Sequence, residues 1–247
     1  MELKEFFKTH NTVAIAFSGG VDSAYLLCEA VKYCEKVCAY YVKSDFQPEF
    51  EFNDAKRLIS ELGAEWKVLE LDVLSDENIT KNPENRCYYC KKKIISKIKE
   101  QALKDGFNIL LDGTNASDDL SDRPGSKAIK ELSVLSPLRE CGLTKEEIRN
   151  LSEKENLFTW DKPSYACLAT RIPTGEVITK DKLTATEKAE DFLFSLGFKD
   201  FRVRMFRSCA RLQVKENQVS LLMEKREEIL TELKKYYSGV LFDLEVR

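Results

Sequence analysis

The sequence predicts an α/β fold: a doubly wound parallel sheet followed by a small C-terminal α+β domain. Three observations predict it. Short runs that are apolar at nearly every position, such as TVAIAF from Thr12 to Phe17, suit strands buried on both faces. Segments with helical spacing follow these runs, and repeated βα units imply parallel neighbours. Past about Ile178 the alternation stops, and helices and short strands follow in a different order.

The first strand runs into Ser18-Gly19-Gly20-Val21-Asp22-Ser23 and then into a helical pattern from Ala24 to about Glu35. VCAYYV (Val37 to Val42) supplies the second strand, a helix ending at Gly63 follows, and WKVLEL supplies the third. A Lys-rich helix after Cys87 leads to a fourth strand, NILLDG, and a further helix covers Lys145 to Glu155. Residues 158–177 then carry two prolines and a glycine without a clear period, which reads as a linker or an active-site loop. It joins a domain of residues 1–165 to one of residues 178–247. The second domain is expected to hold a helix ending at Gly197, two short strands around Phe201 to Met205 and Ala210 to Val214, a long helix, and a last strand, VLFDLEV.

Composition narrows the class of function. With 247 residues, 43% hydrophobic and 33% charged, the chain is an ordinary globular protein. A net charge of −3 argues against a long phosphate-backbone footprint, so nucleic acid is not the expected partner despite the local cluster Lys91, Lys92 and Lys93. No run approaches the roughly 20 apolar residues a membrane helix needs, and MELKEFFKTH lacks the features of a signal peptide. The expected location is the cytoplasm, with no membrane partner. Eight cysteines are many for a reducing compartment, so some should do chemistry or bind metal. The single histidine, His10, excludes a His-based triad and a multi-His metal site.

Five groups of residues carry candidate chemistry. In Ser18 to Ser23 two glycines let the backbone approach an anion, while the following helix start and two serine hydroxyls offer donors; this is a phosphate cradle. It is not a Walker loop, because no G-x-x-x-x-G-K-[ST] pattern is present. The segment Asp112 to Asp119 follows the fourth strand, and Asp118 and Asp119 are candidate Mg²⁺ ligands, with turn capping as the plain alternative. Cys87 and Cys90 stand one helical turn apart, beside Arg86 and Lys91, at an expected helix start. Cys167 sits in a Pro-flanked loop near Arg171, whose charge favours a thiolate. Arg202 and Arg204 alternate on a strand and so share one face, suited to holding phosphate. Cys28, Cys34, Cys38, Cys141 and Cys209 read as packing or surface residues.

The Ser18 to Ser23 segment matches the SGGxDS loop of the PP-loop ATP pyrophosphatases, a group that includes GMP and NAD synthetases and tRNA thiolases. Asp112 to Asp119, Asp122-Arg123-Pro124-Gly125, Asn82 to Lys91, Pro163 to Pro173 and Arg202-Val203-Arg204 narrow this: nearly the whole chain resembles the LarE family of ATP-dependent sulfur transferases. The resemblance implies cleavage of ATP between its α and β phosphates, with Ser18, Gly19, Gly20, Asp22 and Ser23 gripping pyrophosphate through Mg²⁺. It places adenine against backbone near Ala16, Phe17, Val42 and Gly113. It also implies a small-molecule nucleotide substrate, a pyridinium dicarboxylate mononucleotide, converted to a thiocarboxylate in nickel-pincer nucleotide synthesis. Asp22 and Cys167 would then be catalytic, and Arg202, Arg204 and Arg171 would receive the substrate phosphate.

Some members of that family sacrifice the sulfur of the cysteine matching Cys167. Members with a C-x-x-C pair are expected instead to hold a [4Fe–4S] cluster on Cys87, Cys90 and Cys167, with sulfide bound to the fourth iron. Soft thiolates and the absence of a usable His favour the same assignment. Sulfide or a sulfur-donating protein would replenish it, and the family forms closed homo-oligomers, including hexamers. Two departures stand out: Met205-Phe206-Arg207 replaces the family's His-Gly, and the chain stops at Arg247 without the longer tail many members have. The alternative is tRNA 2-thiolation of the TtcA type, which also combines a PP-loop with three cluster cysteines; the acidic balance and the lack of a basic stripe argue against it.

Overall fold

The computed structural model describes residues 2–119 and 124–245. In chain order the elements are α1 (Leu3–Thr9), β1 (Thr12–Ala16), α2 (Val21–Tyr33), β2 (Lys36–Lys43), α3 (Glu49–Leu62), β3 (Trp66–Glu70), α4 (Glu77–Thr80), α5 (Arg86–Lys104) and β4 (Leu110–Leu111). They continue with α6 (Pro124–Glu131), α7 (Pro137–Glu140), α8 (Lys145–Lys154), a 3-10 turn (Leu168–Arg171), α9 (Lys180–Ser195), β5 (Arg202–Phe206), β6 (Cys209–Gln213), α10 (Val219–Glu224), α11 (Arg226–Leu233) and β7 (Gly239–Phe242).

The chain divides into two compact units. One comprises Met1–Ser44, Glu49–Asp72 and Asn85–Lys162; the other comprises Asp45–Pro48, Val73–Glu84 and Pro163–Arg247. The first unit holds a parallel sheet in the order β3-β2-β1-β4. Its central strands β1 and β2 are buried over most of their length because both faces are covered, while the edge strand β3 keeps Lys67 and Glu70 exposed. Val13, Ile15, Ala39 and Tyr41 join one buried cluster with residues of α1, α2, α3 and α8. Ala14, Cys38, Tyr40 and Val42 point the other way and pack with Ile95 and Ile98 of α5 and Ile129 of α6. A valine- or isoleucine-sized side chain contributes about 1.5–3 kcal/mol when fully buried, so the period-2 alternation between two cores holds the sheet in register. This is the doubly wound arrangement expected from the sequence.

The second unit contains a three-stranded sheet in the order β5-β6-β7, with β5 antiparallel and β7 parallel to β6. One sheet face, with Val203, Ala210 and Leu212, packs on Ala189 and Leu193 of α9 and on Ile229 and Leu233 of α11. The small α+β architecture is therefore present as expected.

Several boundaries differ from the sequence reading. The fourth strand shrinks to Leu110–Leu111, because the Asp112 carboxylate accepts from both the amide and the hydroxyl of Thr114 and turns the chain out of the ladder. The expected long C-terminal helix is broken at Lys225, which ends α10 and precedes α11. Helices α1, α4, α6 and α7 had no counterpart in the reading. Among the described residues no helix is long and apolar enough to cross a membrane.

Candidate active site

From β1 the chain steps outward to β2 and β3 and then returns on the other side of β1 as β4. In open parallel sheets the crevice beyond the carboxyl ends of strands at such a reversal is where ligands bind. The segments leaving β1 and β4 are Phe17–Gly20 and Asp112–Asn115, so the crevice lies between the glycine-rich turn and the start of the acidic segment.

The turn is built for close approach. Gly19 takes φ +77°, a conformation open to glycine, and a Cβ there would come within 3.1 Å of the Ala55 Cβ. Gly20 caps α2, whose first amides are the unsatisfied donors of a helix start. The Ser18 and Ser23 hydroxyls are 3.1 Å apart, and Ser23 Oγ donates to the Gly20 carbonyl at 3.1 Å. Across the crevice Gly113 backs directly onto α2, where an added Cβ would lie 2.9 Å from the Ser23 amide nitrogen. Ala16 is half-buried, and Phe17 is buried with its N–H donated to the Tyr40 carbonyl at 3.0 Å. Val42 is buried and sits in the β2–β3 ladder opposite Leu69.

Asp22 occupies the first turn of α2, and its carboxylate accepts from Lys145 Nζ at 2.5 Å and from Asn115 Nδ2 at 3.2 Å. Lys145 is the first residue of α8, held there by a capping box in which Thr144 and Glu147 bond each other's backbone. The Lys145 amide also donates to Ser117 Oγ at 3.0 Å. Arg139 of α7 donates to the carbonyls of Asn115 and Asp118 at 3.2 and 2.7 Å. The acidic segment is thereby tied down on both sides, with a lysine and a carboxylate placed at the mouth of the glycine-rich turn.

The aspartates divide by role. Asp112 is buried and spends its oxygens on Thr114 and on Ser136 Oγ at 2.7 Å, which makes it a structural turn residue. Asp118 accepts from the Asn115 amide at 3.1 Å, and Asp119 is exposed. Asp122 and Arg123 of the quoted element lie outside the described residues. Among the described residues no three His, Cys, Asp or Glu side chains are grouped so as to hold a metal ion. For Mg²⁺ this is no obstacle, since it commonly takes only one or two carboxylates beside phosphate oxygens.

All eight cysteines are thiols rather than disulfides. Cys87 and Cys90 lie in the first turn and a half of α5, Cys87 exposed and Cys90 half-buried, and Arg86 Nη2 stands 3.6 Å from Cys87 Sγ. Cys28 and Cys34 are pushed up to about 11 by burial, and Cys38 and Cys141 are raised by the same cause. Those four are packing residues. His10 stacks on Phe6 at 4.3 Å and its Nδ1 lies 3.0 Å from the Phe6 carbonyl, away from any candidate chemistry. Cys87 and Cys90 remain as neighbouring thiols on one helix, soft donors in contrast to the oxygens that Mg²⁺ takes.

Cys167 belongs to the second unit, where it precedes the 3-10 turn Leu168–Arg171 and is half-buried. Three arginines staple its loop by donating to its carbonyls. Arg202 donates to the Ser164 carbonyl at 2.5 Å, Arg171 to that of Ala166 at 3.2 Å, and Arg204 to that of Thr170 at 2.8 Å. The Cys167 carbonyl in turn accepts from the Thr170 amide and hydroxyl at 3.0 and 2.9 Å. Arg202 and Arg204 share a sheet face, as their alternation on β5 requires.

Arg171 was expected to help receive a substrate phosphate. Its side chain is 0% exposed and is committed to the Glu190 carboxylate, with Nε at 2.7 Å and Nη2 at 3.2 Å. Glu190 also accepts from the Tyr165 hydroxyl and, at 2.9 Å, from the Val203 amide. Burial, and next the Glu190 charge, hold the Tyr165 phenol far above its ordinary range. Arg171 is thus an internal strut that ties the cysteine loop to α9 and β5.

Lys145, Asn115, Glu190 and Tyr165 were not singled out from the sequence. Two signals existed: the T-x-x-E box that fixes Lys145 in a helix's first turn, and Glu190 on the buried stripe Leu183, Thr186, Ala189, Leu193. Neither signal names its partner.

Comparison with known proteins shows what the chain is similar to. The family described as queuosine biosynthesis protein QueC matches residues 12–102. An uncharacterized protein of Synechocystis sp. is 36% identical over 225 residues, covering 90% of this chain and 83% of that one. The pyridinium-3,5-bisthiocarboxylic acid mononucleotide synthase of Lactiplantibacillus plantarum is 34% identical over 209 residues, covering 84% and 76%. An uncharacterized protein of Methanocaldococcus jannaschii is 30% identical over 245 residues, covering 99% and 93%.

Proposed function

Because the chain belongs to the LarE family, that of the pyridinium-3,5-bisthiocarboxylic acid mononucleotide synthases, we propose that it adenylates a carboxylate of a pyridinium mononucleotide with ATP and exchanges the adenylate for sulfur. In the first step a carboxylate oxygen attacks the α-phosphorus, the bond to the bridging oxygen breaks, and pyrophosphate leaves. In the second, sulfide attacks the acyl carbon and expels AMP, leaving a thiocarboxylate.

The observation that carries this reading is the crevice between β1 and β4, where Gly113 lets the acidic segment press against the α2 start while Lys145 stands 2.5 Å from Asp22. Amides of the turn and of the α2 start would hold the pyrophosphate half of ATP. Lys145 would offset the charge that grows on pyrophosphate as the bond breaks, the task a Walker lysine performs elsewhere. Asp22, with Asp118 or Asp119, would hold Mg²⁺, which shields the phosphates from the incoming carboxylate. Asn115 keeps the Asp22 carboxylate oriented.

For the sulfur step, Cys87, Cys90 and Cys167 are the proposed thiolate ligands of a [4Fe–4S] cluster. Held by these three thiolates, such a cluster would supply an iron able to bind sulfide. The chain's own contribution is positional: the staples from Arg171, Arg202 and Arg204 fix the backbone on either side of Cys167. A homo-oligomer, and sulfide or a sulfur-donating protein as the source, complete the proposal.

The test incubates anaerobically purified protein with ATP, Mg²⁺ and the pyridinium dicarboxylate mononucleotide. Pyrophosphate release that requires the mononucleotide, together with the mass gain of oxygen-to-sulfur exchange, is expected. Pyrophosphate release that ignores the mononucleotide overturns the adenylation reading. A Cys167→Ala protein with undiminished iron and acid-labile sulfide overturns the three-ligand cluster, and loss of sulfur from Cys167 itself after turnover shows the sacrificial route instead.

A further inference from the structure

The motif from Asn82 to Lys91 carries more than its two cysteines. Asn82 is 1% exposed and takes φ 52°, a left-handed conformation that asparagine tolerates better than most residues. Its side-chain Nδ2 donates to the Ile172 carbonyl at 3.2 Å and to the Pro173 carbonyl at 2.7 Å. A buried amide is tolerated when it is hydrogen-bonded, and here the two hydrogens of one NH₂ group find two consecutive carbonyls. The backbone adds to this: the Asn82 carbonyl accepts from the Gly175 amide, and the Thr80 carbonyl from that of Ile178, both at 2.8 Å. All of these residues belong to the second unit, and the segment they hold begins directly after the 3-10 turn that follows Cys167.

The cysteine loop is thus fixed by different partners along its length. Arginines hold the carbonyls of Ser164, Ala166 and Thr170, the Phe46 carbonyl accepts from the Leu168 amide at 3.0 Å, and Asn82 holds Ile172 and Pro173. One hydrogen bond would leave the chain free to pivot about it. Two bonds from one side chain to consecutive carbonyls set the direction of the chain as well as its place.

We propose that Asn82 is a positioning residue for Cys167: by clamping the chain five positions beyond the thiol, it holds the cysteine loop in the geometry from which sulfur is delivered. The inference rests on the reading above that Cys167 serves the sulfur step. An acyl adenylate that meets a misplaced sulfur is attacked by water instead. Water's oxygen bonds the acyl carbon, AMP leaves and the carboxylate returns, so lost positioning shows as ATP consumed without thiocarboxylate.

Asn82→Gly isolates the side chain, because glycine accepts the left-handed backbone and offers no donor. With anaerobic protein, ATP, Mg²⁺ and the pyridinium dicarboxylate mononucleotide, thiocarboxylate formed per pyrophosphate released should fall about 5–100-fold, the effect of two lost hydrogen bonds on a local equilibrium. In full-length protein freed of iron, iodoacetamide should label Cys167 faster by a similar factor, while Cys209, half-buried in the same unit, keeps its wild-type rate. A folded Asn82→Gly protein with an unchanged product ratio, or with Cys167 labelled within about twofold of the wild-type rate, overturns the inference. A parallel rise at Cys209 also overturns it, since that shows general loosening of the unit. Should the glycine variant not fold, Asn82→Asp, which keeps the side chain's shape and loses both donors, is judged by the same measurements. Thiocarboxylate formed by Cys167→Ser at the wild-type ratio removes the reading that Cys167 serves the sulfur step, an outcome distinct from a Cys167-dependent ratio that survives Asn82→Gly.

Discussion

Substituting Gly113 by alanine tests the crevice at its narrowest point. The new Cβ would stand 2.9 Å from the Ser23 amide nitrogen, 3.2 Å from the Ser23 Cα and 3.3 Å from the Asp22 carbonyl carbon. All three are backbone atoms at the start of a helix buried from Val21 to Ala30 over most of its positions, so no side chain can swing aside. Overpacking of this kind costs about 1–3 kcal/mol. At roughly 2–4 °C per kcal/mol for a chain of this size, the melting transition should fall by about 2–12 °C. The same clash pries the α2 start away from the acidic segment, so ATP affinity should fall with stability. Gly125→Ala is the control: its Cβ would meet only ordinary contacts at 3.7 Å, and alanine is the better helix former by up to about 1 kcal/mol. Differential scanning calorimetry and ATP titration on both variants read the outcome. Melting within a degree of wild type, with unchanged ATP binding in Gly113→Ala, would refute the claim that close backbone approach shapes the site.

Three other expectations follow from the same geometry. Lys145→Gln should lower kcat for pyrophosphate release about 10²–10³-fold, the loss typical of one charge-stabilising group, while stability changes by no more than about 1 kcal/mol because the ion pair is partly solvated; a kcat within threefold of wild type would remove Lys145 from the reaction. Arg171→Met strands a buried Glu190 and should destabilise the second unit by about 3–5 kcal/mol in urea unfolding followed by circular dichroism, whereas a change under about 1 kcal/mol would show that the strut is dispensable. In iron-free protein, iodoacetamide at pH 8 should label exposed Cys87 first and spare Cys28 and Cys34, whose thiols burial pushes up to about 11; peptide mapping that finds those two labelled as fast as Cys87 contradicts their packing role.

Much of the first unit was legible because its signals are local. Five consecutive apolar residues before Ser18 and the paired glycines after it say strand, then turn, then helix, with no reference to distant residues. NILLDG misled for an equally local reason: the apolar run is long enough for a full strand, but the Asp112 side chain closes a turn on Thr114 and stops the ladder after two residues. The broken C-terminal helix is a milder case. Its residues keep helical spacing on both sides of Lys225, and nothing in the composition marks the break.

Sequence by itself determined which residue types could do chemistry here. It supplied one glycine-rich turn, one C-x-x-C pair at a helix start, one Pro-flanked cysteine loop and a pair of alternating arginines. It could not say which charges neutralise one another. Lys145 meets Asp22 across 123 positions, Arg171 disappears into Glu190, and Arg211 comes opposite Arg204 only because β5 and β6 pair in one register. The physical reason is the same in each case. Propensity and periodicity act over a few residues, whereas a charge's role depends on the nearest opposite charge and on how much water remains between them, and both are set only when strands and helices take their places.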